Sequence, residues 1–330
     1  MAELGPLLRV SVDDLEASLG ARRLREYIRA CESGFLDRVL DISWTVALDE
    51  RIRAVFISGP TASGKTTFTD RLAGALRMMG RQAMTLSIDD YYLSGSFSQD
   101  EWGRPDFESF ETIDADRMVA DLQGLLSGRP TVLPRFDFRT RTRHEDPADP
   151  VTASDGTVLL VEGLHGLNGA VMGRLPPETR RGVFIMPYGQ LYSDRQLLDW
   201  RDIRILRRIS RDVRHRGSPA LATLDYWPMI DRTEQAMFPA YLAAADEYVN
   251  SAMAYEFFVI APMAGRFLAD SLDRYGSGDL RTSWYTAHGG FADIDRAIPE
   301  ARRLIAAIQS IPPAQPGFVP DISILNEFIR

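Results

Sequence analysis

Gly59, Gly64, Lys65 and Thr66 stand in the stretch "GPTASGKTT", which fits G-x-x-x-x-G-K-[ST]. Glycines at these positions let backbone N–H groups curl around phosphate oxygens, and a following helix adds partial positive charge at its N-terminus. Lys65 would reach the terminal phosphates and the Thr66 hydroxyl would hold Mg²⁺. Thr61, Ala62, Ser63 and Thr67 complete the loop and the helix entry, so the run reads as a site for a nucleoside triphosphate. Lys65 is the sole lysine, the other 37 of the 38 basic residues being arginine. An ammonium is kept where a compact charge on a flexible stem is needed and a planar fork fits poorly.

Phosphoryl transfer also needs a carboxylate to orient or deprotonate an acceptor hydroxyl, and cations on the moving group. "SIDDYY" puts Asp89 and Asp90 after an apolar run; on an extended chain adjacent side chains point opposite ways, so only one faces a site. "LLVEG" sets Glu162 at the end of another apolar run, suited to Mg²⁺ directly or through water. In "RDIRILRRISRDVRHRG", helical spacing gathers Arg204, Arg208, Arg211 and His215 on one face, with Asp202 and Asp212 between them. Beside a phosphate loop, residues 201–220 read as an Arg-rich lid that supplies transition-state charge.

The elements that must position these groups follow from pattern. Apolar runs at 53–58, 83–88, 157–162, 182–187 and 256–261 alternate with helical stretches, predicting an α/β fold with a parallel sheet covered on both faces. Residues 1–50 predict a helical extension, with Ser11 as an N-cap. Residues 51–330 predict the main domain, with an insertion at about 90–150 rich in Asp, Arg, Pro and aromatics as the acceptor-binding region.

Several classes are excluded or disfavoured. A one-lysine chain cannot supply the Asn-Lys-x-Asp base-reading element of GTPases, and no Leu-Ser-Gly-Gly loop of transporter ATPases occurs. The net charge of -8 argues against a nucleic-acid surface. The longest apolar runs are far too short for a membrane span, and the start is no secretory signal. Cys31 is the only cysteine, and His144, His165, His215 and His288 lack metal-ligand spacing. A cytoplasmic protein is the expectation.

Six segments, "GPTASGKTTF", "SIDDYY", "DFESFETID", "PRFDFRTRTR", "VEGLHGLN" and "RILRRISRDVRHRG", together resemble the uridine kinase and phosphoribulokinase family of P-loop kinases. The likeness is greatest to a bacterial uridine-kinase-like branch often fused to a threonyl-tRNA synthetase-related domain, and covers residues 50–330. It implies a P-loop NTPase-type sheet, ATP and Mg²⁺ as cofactors and a small-molecule hydroxyl acceptor. It implies Asp89 as the acceptor-activating base and Glu162 near the metal. It places Glu108 at sugar hydroxyls, Arg208, Arg211 and Arg216 on the lid, and Tyr91, Phe136, Asp137, Arg141 and Arg143 at the acceptor.

The departures are as informative. Nucleoside-specific members have Tyr and His where this chain has Phe136 and Arg141, and Arg-Gly-Arg where it has Arg216-Gly217-Ser218. About fifty residues stand where the branch has a larger upstream domain, a helical cap or an oligomerisation element. Phe136 can still stack on a base, whereas a guanidinium suits a carboxylate or phosphate. The leading expectation is uridine or cytidine phosphorylation. The alternatives are a kinase for a small anionic or sugar-like metabolite, and a nucleotide-responsive regulator without turnover.

Overall fold

The computed structural model describes residues 6–94, 99–100, 103–138, 140–286 and 290–330. Arg139 and His288 lie outside the described residues. In chain order come β1 (Leu8–Ser11), α1 (Val12–Ala17), α2 (Ala21–Leu48), β2 (Ala54–Ser58), α3 (Lys65–Met78) and β3 (Ala83–Ser87). Next are α4 (Ala115–Leu126), the β4 (Pro134–Asp137) and β5 (Thr142–Glu145) hairpin, β6 (Val158–Glu162), α5 (Gly169–Met172) and β7 (Arg180–Met186). β8 (Gly189–Tyr192), β9 (Gln196–Leu198), α6 (Trp200–His215), α7 (Ala220–Ala244), β10 (Glu247–Asn250), α8 (Glu256–Ser277), α9 (Ile294–Ile308) and α10 (Asn326–Ile329) complete the described elements.

The central sheet has the order β10-β7-β2-β6-β3 and every pairing in it is parallel. Its middle strands, "AVFIS" and "VLLVE", are buried at every residue, as expected where helices cover both faces. Alternate side chains feed two cores. Val55 and Ile57 join one with α2, α3, α6 and α8 residues, while Ala54 and Phe56 join another with residues of α4 and α5. The P-loop NTPase-type α/β architecture read from the sequence is therefore present.

One strand differs. The run 256–261 opens α8, and the fifth strand is β10, "EYVN". A six-residue apolar run does not separate strand from helix by period; the continuation through Met263, Ala264 and Leu268 at helical spacing decides it.

Residues 1–50 are helical in α1 and α2 but also contribute β1, which pairs in parallel with β8. Ser11 caps α1 in a reciprocal capping box with Asp14. α2 lies against α3, the helix that follows the phosphate loop.

Candidate active site

The phosphate loop joins β2 to α3, at the carboxyl end of the sheet where open α/β folds bind ligands. Gly64 caps α3 with φ 86°. A Cβ on Gly59 would stand 2.0 Å from the Ile185 carbonyl oxygen, so only glycine fits. Lys65 Nζ donates to the Gly59 and Pro60 carbonyls at 3.0 Å each, folded back along the loop it would leave for a phosphate. The loop is braced from behind: Ser251 Oγ donates to the Ser63 carbonyl at 2.6 Å.

Thr66 Oγ1 donates to Glu162 Oε1 at 3.3 Å, bringing together the two groups expected at the metal. Burial, with the Asp89 charge adding to it, pushes the Glu162 carboxyl up to about 8. Such a buried carboxylate favours a cation beside it, and hydroxyl and carboxylate oxygens are the donors Mg²⁺ accepts.

Of the paired aspartates, Asp90 is committed elsewhere, its Oδ1 accepting from the Phe136 backbone N–H at 3.0 Å. The pair lies in a 3₁₀ turn, Ile88–Tyr91, and not on extended chain. Burial raises the Asp89 pKa, opposed by the Lys65 and Arg216 charges and assisted by Glu108 and Asp90. Asp89 thus lies within electrostatic reach of Lys65, Arg216 and Glu108, and its raised pKa makes it a stronger base than an exposed aspartate.

α6 is packed against α7, α8 and α10, and its middle arginines are buried. Arg204 Nε donates to the Thr61 carbonyl at 3.2 Å and pairs with Glu234. Arg207 donates to the Ala62 carbonyl at 3.4 Å and is held by Glu256 at 2.7 Å. These two brace the outside of the loop, and Arg207 lies off the face that the sequence spacing singled out. Arg208 Nη1 donates to Thr61 Oγ1 and Glu108 Oε1, both at 3.0 Å. Burial raises Glu108, but the Arg208 guanidinium, together with the Lys65 and His165 charges, outweighs it and holds the carboxyl below its ordinary range. Arg211 Nε rests on Asp212 Oδ1 at 2.9 Å, and Arg216 Nη1 donates to Tyr285 OH at 3.0 Å. Asp212 orients Arg208, Arg211 and Arg216 together.

The segment expected to bind the acceptor is aromatic. The Arg141 guanidinium lies 3.7 Å from the Phe107 ring centre, 5.6 Å from Phe136 and 6.0 Å from Tyr92. Its backbone takes φ 58°, closed by its N–H on the Asp137 carbonyl at 2.7 Å. Tyr92 and Phe136 rings meet at 5.3 Å, and Tyr92 OH donates to the Phe107 carbonyl at 2.9 Å.

Three expected acceptor residues are engaged elsewhere. Tyr91 OH donates to Asp121 of α4 at 3.1 Å within the second core, and its neighbour Tyr92 joins the aromatic group. Asp137 follows buried Phe136 on β4 and so points to the exposed face, with Oδ1 accepting from the Thr140 N–H at 3.3 Å. Arg143 donates to Asp114, the N-cap of α4, at 2.9 Å.

Tyr92, Phe107, Tyr226 and Tyr285 were not singled out from sequence. Tyr92 was signalled by the doubled tyrosine. Tyr226 and Tyr285 come from distant segments, and only the fold brings their rings to 5.8 and 5.0 Å from the Arg208 guanidinium.

Residues 54–176 match the Phosphoribulokinase / Uridine kinase family. A uridine kinase of Leuconostoc citreum is 26% identical over 202 residues, 59% of this chain and 83% of that one. A uridine kinase of Staphylococcus epidermidis is 26% identical over 183 residues, 55% of this chain and 79% of that one. A solved structure described as a possible uridine kinase from Bacillus stearothermophilus aligns with a TM-score of 0.39 and 18% identity, covering 60% of this chain and 88% of that one.

Proposed function

We propose, from a chain whose residues 54–176 match the Phosphoribulokinase / Uridine kinase family and which is an ATP-dependent small-molecule kinase, that its acceptor is a nucleoside-like alcohol. Mg²⁺ is the metal cofactor in this reading, held by Thr66 and Glu162, and supplies charge neutralisation at the phosphates when bound. The loop N–H groups and Lys65 bind the phosphates. Arg208, Arg211 and Arg216 supply positive charge beside the transferred group. Asp89 takes the acceptor proton, and Glu108, held by Arg208, accepts from a second hydroxyl.

The observation that carries the reading is the position of Asp89, just beyond the carboxyl end of β3 and within electrostatic reach of Lys65, Arg216 and Glu108. The Phe136, Tyr92 and Phe107 rings support an acceptor with a flat face, since aromatic walls bind planar rings by stacking. A second reading, a small anionic acceptor, is favoured by the Arg141 guanidinium among those rings.

The test is ATP consumption by the purified chain against nucleosides, sugars, polyols, sugar acids and amino acids, with Asp89→Asn as control. Turnover of uridine or cytidine supports the first reading, and turnover confined to acids supports the second. Tight ATP binding with no turnover of any acceptor would leave a nucleotide-responsive regulator.

A further inference from the structure

α2 carries an unpartnered outer face. Its inner face, Leu24, Ile28, Phe35, Val39, Ile42 and Val46, is buried in the main core. On the outside, Leu40, Trp44 and Leu48 are 37%, 53% and 76% exposed. They are spaced four residues apart, so they form a stripe spanning about 80° of the helix circumference, opposite the buried face. An isolated exposed leucine needs no explanation, but three large apolar side chains in line mark a surface that something covers.

We infer that the occupant is a second copy of this chain, the two α2 helices pairing antiparallel about a twofold axis near position 35. The charge pattern selects this partner. The first part of α2 carries Arg22, Arg23, Arg25 and Arg29 against Glu26 and Glu32, and the last part, with the residues just beyond it, carries Asp37, Asp41, Asp49 and Glu50 against Arg38 and Arg51, so the first part is net positive and the last net negative. Antiparallel pairing of two identical helices sets each basic half against an acidic half, whereas a parallel pair would oppose like charges.

The side-chain sizes fix the register. With position 35 at the axis, Trp44 of one copy meets Glu26 of the other, and Leu40 comes level with Ala30, Leu48 with Arg22, and Arg29 with Asp41 across the seam. Large residues thus face small ones or long stems near the crossing, with Ser33 and Gly34 beside the axis. A Cβ on Gly34 would meet nothing within 4 Å in the single chain. Glycine inside a helix is about 1 kcal/mol less favourable than alanine. Gly34 is therefore not demanded by the monomer, and it clears room for a second helix. The 28-residue helix is about 42 Å long, enough for several turns of continuous contact.

Sedimentation of the full chain tests this. At about 20 µM the chain is expected at twice its mass of 37.0 kDa. Trp44→Glu, at an exposed position, should raise the dimer dissociation constant about a hundredfold while leaving the melting temperature of the dilute, dissociated chain unchanged. A charge exchange keeps the test independent of that substitution. Arg29→Asp and Asp41→Arg should each weaken self-association by about tenfold or more, and an equimolar mixture of the two variants should recover it. In the mixed pair both contacts again join opposite charges. A chain that sediments as a single copy up to about 100 µM overturns the inference. So does a dimer that neither Trp44→Glu nor the charge exchange perturbs, because that dimer uses another surface.

Discussion

One nitrogen of Arg208 bridges Glu108 Oε1 and Thr61 Oγ1, each at 3.0 Å, tying the proposed acceptor side of the site to the phosphate loop. Removing either end has a different consequence. Arg208→Ala leaves Glu108 buried without its main counter-charge, and breaking a buried pair in this way costs about 3–5 kcal/mol. The variant should melt earlier and lose about 10³-fold in kcat. Glu108→Gln keeps an oxygen acceptor but removes the charge. It should raise the acceptor KM about tenfold and leave the ATP KM nearly unchanged. Initial-rate kinetics with both substrates varied, and melting curves for each variant, check the pair.

Asp89→Asn removes the proposed base while preserving shape. Loss of general-base catalysis is expected to lower kcat by about 10²–10⁴-fold. Calorimetry should find ATP binding retained, because no phosphate contact is removed. Since burial raises the Asp89 pKa, acidification should abolish activity at a higher pH than an ordinary aspartate would set. A kcat/KM profile across the acid range measures this limb, and a limb at or below the ordinary value of 3.8 would contradict it.

His165 gives stability its own pH dependence. Burial holds its pKa down at about 4, against 6.5 for the exposed ring, with Nδ1 2.9 Å from Tyr241 OH. The unfolded chain therefore binds more protons than the folded one between those values. Stability contributed by neutral His165 is complete above 6.5 and is lost as pH falls toward about 4, on the order of 3 kcal/mol in all. His165→Phe should flatten this part of the melting-temperature profile. An unchanged slope would show that other groups set it.

Gly64 and Ile324 bring the end of the described chain onto the phosphate loop. A Cβ on Gly64 would lie 2.2 Å from Ile324 Cδ1, and the backbone there is left-handed. Gly64→Ala should weaken ATP binding by about tenfold or more. Adding Ile324→Ala relieves the clash but not the φ strain, which costs roughly 1–2 kcal/mol, so the double variant should recover only part of the affinity. Full recovery, read as ATP affinity by calorimetry, would assign the whole effect to the side-chain contact.

The places of the phosphate loop, Asp89 and Glu162 were legible because each follows a strand of the central sheet and is set by local sequence. Four of the five central strands were legible for the same reason. α6 was harder. Its arginines suggested an Arg-rich lid, yet Arg204 and Arg207 are buried because Glu234 on α7 and Glu256 on α8 compensate their charge. Those partners lie 30 and 49 residues away, beyond what spacing on one helix reveals. Tyr91 and Tyr92 posed a different problem, since a 3₁₀ turn, unreadable in "DDYY", buries both rings in one core and sends Tyr91 to Asp121 and Tyr92 to Phe136.

Arg141 is the position where acceptor choice can be read directly. Its guanidinium is stacked on Phe107, and burial lowers its pKa, so its charge is poorly solvated and suited to exchange for an acidic or carbonyl group on a ligand. Arg141→Ala should raise the acceptor KM by about tenfold while changing the ATP KM little, since the nucleotide contacts lie on the phosphate loop. Arg141→Lys keeps the charge but loses the planar surface, and separates the two ways the residue could act. If the acceptor is anionic, lysine should restore much of the lost affinity. If Arg141 instead extends an aromatic wall against a flat ring, lysine should be nearly as poor as alanine. Equal effects of Arg141→Ala on both substrates would place the residue at the nucleotide and remove it from acceptor selection.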